Sequence, residues 1–231
     1  MVKRGKLCER HAKKGMEAMF QLQNITVRDV LEMESLTLDA DVISIEGQSG
    51  SGKSTLLRLL NNLDDPSSGE IYFQEKNITE IDPRELRKRV VMLPQNPTVF
   101  DGTIRDNLII GLTFSEQPVP ADDELNDILK KLWIKKDLDT SASDLSGGEQ
   151  QRMALARILL MKKAEVFLLD EPSSDLDDKT TKHVMKEFIE LAKKANQQII
   201  MVTHDKTVSK NFADSIINMD TYSKQIKVGG N

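Results

Sequence analysis

Nine consecutive residues, Gly47-Gln48-Ser49-Gly50-Ser51-Gly52-Lys53-Ser54-Thr55, bring together the groups that can hold a nucleoside triphosphate. They fit G-x-x-x-x-G-K-[ST], with an extra glycine at Gly50. Glycines let main-chain N–H groups turn inward around phosphate oxygens. A helix start adds partial positive charge at the same point. Lys53 would reach the β- and γ-phosphates, and the Ser54 hydroxyl would ligate Mg²⁺. The bland alternative is a Gly/Ser turn before an ordinary helix. Against it, the apolar run Val42-Ile43-Ser44-Ile45 precedes the loop and Thr55-Leu56-Leu57-Arg58-Leu59-Leu60 follows it, which is the strand–loop–helix context the chemistry needs.

A second set of groups lies in Val166-Phe167-Leu168-Leu169-Asp170-Glu171, four apolar residues followed by two carboxylates. A buried strand ending in acids places them at the edge where α/β sheets bind ligands. Asp170 would hold Mg²⁺, directly or through water, and Glu171 is placed to orient and deprotonate an attacking water. Ser146-Gly147-Gly148-Glu149-Gln150-Gln151-Arg152 offers a serine N-cap and two glycines at another helix start, a second anion site in the same chain. One triphosphate rarely needs two such sites from one subunit. The economical account is that each chain lends this one to a partner's nucleotide.

Leu145-Ser146-Gly147-Gly148-Glu149-Gln150-Gln151-Arg152 resembles the signature of ATP-binding-cassette (ABC) ATPases. The order of parts agrees: phosphate loop at Gly47, Gln95 after a strand, the signature at Ser146, Asp170-Glu171, then Ser174-Asp175-Leu176-Asp177 and His204. The resemblance covers about residues 20–219. It implies an α/β fold, a P-loop NTPase cassette with a mainly parallel core sheet, an antiparallel β layer and a helical subdomain at about 96–150. It also implies a head-to-tail homodimer holding two ATP molecules with Mg²⁺ at its interface. Carried over residue by residue, the stretch from Gly47 to Thr55 binds the ATP of its own chain. Ser146, Gly147, Gly148, Glu149 and Asp177 serve the ATP held by the other subunit. Ser54, Gln95 and Asp170 support the metal, and Glu171, His204 and Gln95 carry the catalysis, with Glu171 as general base. Phosphoryl transfer needs this positioning and charge stabilisation more than it needs covalent chemistry.

Three features depart from the family pattern. The position where the family stacks adenine on an aromatic ring falls near Asp29, while Phe20 reads as core. Asp175 stands where the loop before Asp177 usually has a small residue. Residues 139–144 lack the Glu/Gly/Arg-rich element of large multidrug exporters. Residues 95–108 look like the exporter version of that region. The run Thr203-His204-Asp205-Lys206, with the missing aromatic, looks similar to the small stand-alone ATPase subunits of bacterial Fet-type iron-export systems. The reading is an ATPase subunit coupled to a separate membrane permease that meets the surface at 94–107, on the cytoplasmic face of the cell membrane. The alternatives are the ATPase of an importer, or a non-transport ABC ATPase. Chromosome-type members place a long coiled coil between loop and signature, whereas here about a hundred residues without sustained heptads intervene.

The elements that must position these groups alternate between strand and helix. Residues 20–25 and 30–38 alternate apolar and polar, and with the strand into Gly47 they suggest an antiparallel layer feeding a parallel core. A strand at 70–73 follows the turn Pro66-Ser67-Ser68-Gly69. Pro83 opens a short helix to about Lys88, and a strand at 89–93 ends at Pro94-Gln95. Helices are expected at 103–110, 122–132, 149–161 with Ser146 as N-cap, and 178–194. Strands are expected at 165–169 and 198–202, with edge strands at 216–219 and 225–228.

The bulk composition narrows the partners. The chain has 231 residues, enough for one full core. Its formal net charge of −5 gives no global basic field, so nucleic acid is not an expected partner. A single cysteine, Cys8, leaves no internal disulfide framework. The longest apolar runs are too short to span a bilayer. Residues 1–18 are basic and are expected to form a disordered extension ahead of the cassette at 19–231, with Met16 and Met19 as alternative starts.

Overall fold

The computed structural model describes residues 18–223, which fold as two sheets and a set of helices. Strands β1 (Phe20–Val27), β2 (Leu31–Leu38), β4 (Ser68–Phe73) and β5 (Lys76–Asn77) form an antiparallel sheet in the order β2-β1-β4-β5. The period-two pattern of β1 and β2 sets this layer. Phe20, Leu22 and Ile25 face inward opposite Leu38, Leu36 and Met33. The Phe20 and Phe73 rings pack with centroids 4.9 Å apart.

The second sheet is parallel, in the order β6 (Val90–Leu93), β7 (Val166–Asp170), β8 (Gln198–Val202), β3 (Val42–Glu46), β9 (Ser215–Asn218). β7 and β8 are buried at every position. Their apolar runs are continuous because both faces are covered. Phe167, Leu169, Ile199 and Met201 join one core with the helices α3 (Ile104–Phe114), α4 (Asp122–Lys131), α5 (Gly147–Leu159) and α6 (Asp178–Lys194). Val166, Leu168, Ile200 and Val202 join the other, against the antiparallel sheet, α1 (Lys53–Leu60) and α2 (Pro83–Arg89). The α/β class, the parallel core and the antiparallel layer are as the sequence implies.

Local chemistry fixes the helix starts. Asp82 caps α2 and Pro83 sits in its first turn. Thr103 with Asp106, and Ser146 with Glu149, form capping boxes on α3 and α5. Among the strands and α-helices described, two are not expected from the sequence. β5 is two residues long. The short helix α7 (Lys206–Phe212) follows the Thr203-His204 run and is capped by Asp205, which accepts from the N–H groups of Thr207 and Val208. α3 also runs past its expected end at residue 110. Gly111 lies inside it, where a Cβ would stand 3.3 Å from Met161 Sδ, and the helix runs on to Phe114. The edge strand at 215–218 is present as β9. The strand expected at 225–228 and the extension up to residue 17 lie outside the described residues. Among the described residues no helix is long and apolar enough to cross a membrane.

Candidate functional site

At the carboxyl edge of the parallel sheet lies a cleft of about 460 Å³. Ser49, Gly50, Gly52, Lys53, Ser54 and Thr55 line one side of it, and Gln95, Asp170, Glu171 and His204 line the other. The sheet order explains the meeting. β3 ends at the phosphate loop, β7 ends at Asp170, β8 ends just before Thr203-His204, and β6 ends just before Pro94-Gln95. Residues more than a hundred positions apart are gathered by four adjacent strand ends.

The loop is shaped by its glycines. Gly52 holds φ +90° as the residue before α1, and a Cβ there would run into Leu31. Gly47, Gln48 and Ser51 lie behind the cleft wall. A Cβ on Gly47 would stand 2.7 Å from Ser51 Oγ, and the Gln48 N–H donates to Asp220 Oδ1 at 2.8 Å. Lys53 is buried and folds back over the loop, donating to Gly47 O at 2.9 Å and Gln48 O at 2.8 Å. α1 has no side-chain cap and no acid in its first turn. Its N-terminal dipole is therefore left for an anion.

Across the cleft, Glu171 holds a left-handed backbone, φ +48°, and its N–H donates to Val202 O at 2.9 Å. Such a conformation in a non-glycine residue costs energy and clusters at functional sites. Oε2 accepts from the His204 main-chain N–H at 3.2 Å. Oε1 is buried without a hydrogen bond, although His204 Nε2 stands 3.3 Å away. Burial pushes the Glu171 carboxyl above its ordinary range and Asp170 adds to the push, while His204 and Lys53 pull the other way. Asp170 is buried at the end of β7. Ser54, Gln95 and Asp170 present a hydroxyl, an amide carbonyl and a carboxylate to one space. Mg²⁺ takes one or two carboxylates with substrate phosphates and water, so this all-oxygen set fits the ion.

The residues expected to act in trans do not line this cleft. At the tip of α5 the Ser146 N–H and Oγ both lie 3.0 Å from Glu149 Oε2, and the Glu149 N–H reaches Ser146 Oγ at 3.4 Å. The Ser146 main-chain N–H holds the Glu149 carboxyl below its usual range. Nothing comes within 4 Å of where a Cβ on Gly147 would stand, whereas on Gly148 it would meet Asp175 O at 2.9 Å. Asp177 caps α6, accepting from Lys179 and Thr180, and its carboxyl is lowered chiefly by the Thr180 hydroxyl. The α5 tip and the loop ending at Asp177 therefore form a second, separate cluster.

Sequence reasoning missed two participants. Val30, next to Asp29, is the residue of the β1–β2 turn that lines the cleft. Asp220 steadies Gln48 from 172 positions downstream, and no local signal marks it. Phe20 is wholly buried, as a core residue should be.

Comparison with known proteins agrees with this geometry. The family model described as ABC transporter matches residues 33–174, more than half of the chain. A phosphonates import ATP-binding protein, PhnC 1 of Ruegeria sp. (strain TM1040), is 33% identical over 220 residues, covering 87% of this chain and 85% of that protein. The lactococcin-A transport/processing ATP-binding protein LcnC of Lactococcus lactis subsp. lactis is 37% identical over 186 residues, 78% of this chain, and there the match spans only 25% of the relative's length. Among solved structures, the ATP-binding cassette MJ0796, dimeric in a post-hydrolysis state with ADP and Pi, superposes with a TM-score of 0.74 at 27% identity, covering 89% of this chain and 95% of that one. With matched cassette sequence, shared fold and the strand-edge cleft in agreement, this polypeptide belongs to the ABC transporter ATP-binding family.

Proposed function

We propose that two copies of this chain close head to tail on two ATP molecules, hydrolyse them with Mg²⁺, and drive a separate membrane permease. One observation carries the reading. The chain owns an uncapped helix start at α1 that opens on the cleft, and a glycine-bearing start at α5 that lies outside it and is closed by its own Ser146–Glu149 capping box. A triphosphate seated on the first can touch the second only if a second copy brings it. Gly147 supports this, since among the described residues nothing comes within 4 Å of where its Cβ would stand.

In the closed dimer the phosphate-loop N–H groups and Lys53 hold the β- and γ-phosphates, and Lys53 leaves the carbonyls of Gly47 and Gln48 to do so. Ser54, Gln95 and Asp170 would hold Mg²⁺, which neutralises developing charge on the phosphates. Glu171 takes the proton of the attacking water at its unpaired Oε1. The His204 main chain fixes Oε2, and its ring faces the γ-phosphate. Ser146, Gly147, Gly148 and Glu149 complete the partner's site, with Asp177 in the loop beside them. For Ser146 to donate to a phosphate, its hydroxyl must leave Glu149.

The surface at 94–107 meets the permease, with α3 and α4 as the core of a helical subdomain at about 96–150. The chain then sits on the cytoplasmic face of the membrane through that partner. Export is favoured by residues 95–108, and iron as cargo by the run Thr203-His204-Asp205-Lys206. None of the relatives reported above carries iron in its name. The importer reading is favoured by the PhnC relative, matched over 85% of its length. Co-purification with a multi-span partner, followed by ATPase assays with ferrous iron and with phosphonate, separates these readings. Stimulation by neither, with no membrane partner captured, contradicts coupling to transport of either cargo.

A further inference from the structure

Arg157 is a half-buried cation, and among the described residues it has no salt-bridge partner. It lies in the last turn of α5, and burial alone lowers its guanidinium pKa to about 10. Its Nε donates to Asn107 O at 2.7 Å, Nη2 to Asn107 Oδ1 at 2.8 Å, and Nη1 to Thr98 O at 2.9 Å. The guanidinium carbon stands 5.1 Å from the centre of the Phe100 ring. Asn107 is wholly buried and continues the grip: its Oδ1 accepts from the Phe100 N–H at 2.9 Å, and its Nδ2 donates to Phe100 O at 2.8 Å and Thr103 O at 3.0 Å. Residues 97–102 have no helix or strand of their own; Arg157 ties Thr98 to α5 and Asn107 ties Phe100 to α3, beside the packing of Val99 on the core and the Ala142 N–H bound to Gly102 O.

Core packing alone does not account for this choice. A partly desolvated charge held by neutral acceptors costs more than an apolar side chain of the same volume would. The same helix begins at Ser146, where Gly148 is packed on the Asp175 carbonyl and Arg152 feels Glu149 and Asp177. A 13-residue α-helix is a stiff rod about two nanometres long. Its tip, the loop ending at Asp177 and the segment at 98–107 are thus joined through one element.

We propose that Arg157 is a positioning residue that makes residues 98–107 follow the tip of α5, so that nucleotide contact at residues 146–149 resets the segment. The inference rests on the reading that a partner-held triphosphate touches that tip. Its planar fork matters more than its charge, because three bonds in fixed directions bind two points of the segment to one helix.

Hydrogen exchange on the full chain carrying Glu171→Gln, with and without MgATP, tests this, with light scattering on the same samples. MgATP should slow exchange in peptides spanning 98–107 by about threefold or more in that parent. The slowing should be lost when Arg157→Lys or Arg157→Met is added, while the dimer still forms. Arg157→Lys keeps the charge without the fork, so it serves even if the methionine variant folds poorly. Equal slowing in parent and variants overturns the proposal. So does a variant whose exchange rises equally in both states while the nucleotide response persists, which is the mark of a merely structural clamp. A parent that dimerises without any change at 98–107 overturns it alone, and a parent that stays monomeric brings down the tip-contact reading and this inference together.

Discussion

The main-chain N–H of His204 donates to Oε2 of Glu171 at 3.2 Å, while the ring Nε2 of the same histidine stands 3.3 Å from Oε1. One residue at the end of β8 thus brackets the carboxylate at the end of β7. The bracket needs the parallel pairing of those two strands, which sets Asp170 beside Val202. It leaves one oxygen of Glu171 fixed and the other available to accept a proton.

Replacing Glu171 by Gln keeps the shape and removes the base. Turnover should fall by ~10²–10⁴-fold, with MgATP binding retained and the nucleotide-bound dimer accumulating. Steady-state phosphate release and light scattering check the two halves. Turnover within a few-fold of the parent would contradict the role of Glu171.

The pH dependence follows from the same carboxylate. A general base works only when deprotonated, and burial holds this group above its ordinary value of 4.5. The acid limb of kcat should therefore lie above that value, with activity gained as pH rises through it. His204→Ala keeps the main-chain N–H but removes the ring, whose attraction lowers the Glu171 pKa. The limb should then move to still higher pH in a kcat–pH profile, and a downward move would contradict the assignment.

Stability carries the same sign. A carboxyl whose folded pKa is raised binds its proton more tightly folded than unfolded. Its contribution is therefore fully present below the unfolded value and declines as pH rises through the folded one. Glu171→Gln removes the decline, so its Tm should exceed the parent's at neutral pH and approach it in acid. Calorimetry at both pH values reads the convergence, and a variant no more stable than the parent at neutral pH would contradict it.

Gly147 and Gly148 should behave oppositely. Gly148→Ala meets the Asp175 carbonyl at 2.9 Å and should lower Tm, while Gly147→Ala meets nothing within 4 Å and should leave Tm unchanged or raised. Gly147→Ala should nonetheless weaken MgATP-driven dimerisation of the Glu171→Gln protein. Thermal melts and light scattering separate fold from function at neighbouring positions.

Much of this was legible in the sequence because the informative signals are local. The phosphate loop, the buried run into Asp170-Glu171 and the serine N-cap at Ser146 are each contained within about ten residues, and each appears where expected. Three-dimensional partners were not legible. Nothing near Gln48 announces Asp220, and nothing near Arg157 announces Asn107, because hydrogen bonds between distant elements leave no periodic trace. The stacking position falls near Asp29 by sequence, and Val30, one residue on in the turn after β1, is the one that lines the cleft. The helix at 206–212 was missed because seven residues capped by Asp205 are too short to show a period.

The central claim is that each chain completes its partner's site, and mixing two disabled variants tests it most directly. Lys53→Ala disables the phosphate loop, and Gly147→Asp puts a negative charge on the α5 tip, where among the described residues a Cβ meets nothing within 4 Å. Each alone should be inactive. In a head-to-tail pair of one of each, both lesions fall in one site and the other site is whole. An equimolar mixture should therefore regain ATPase activity, about a quarter of the parent rate for random pairing and independent sites. A mixture no more active than its two components would show that the tip never serves a partner, and would contradict the account.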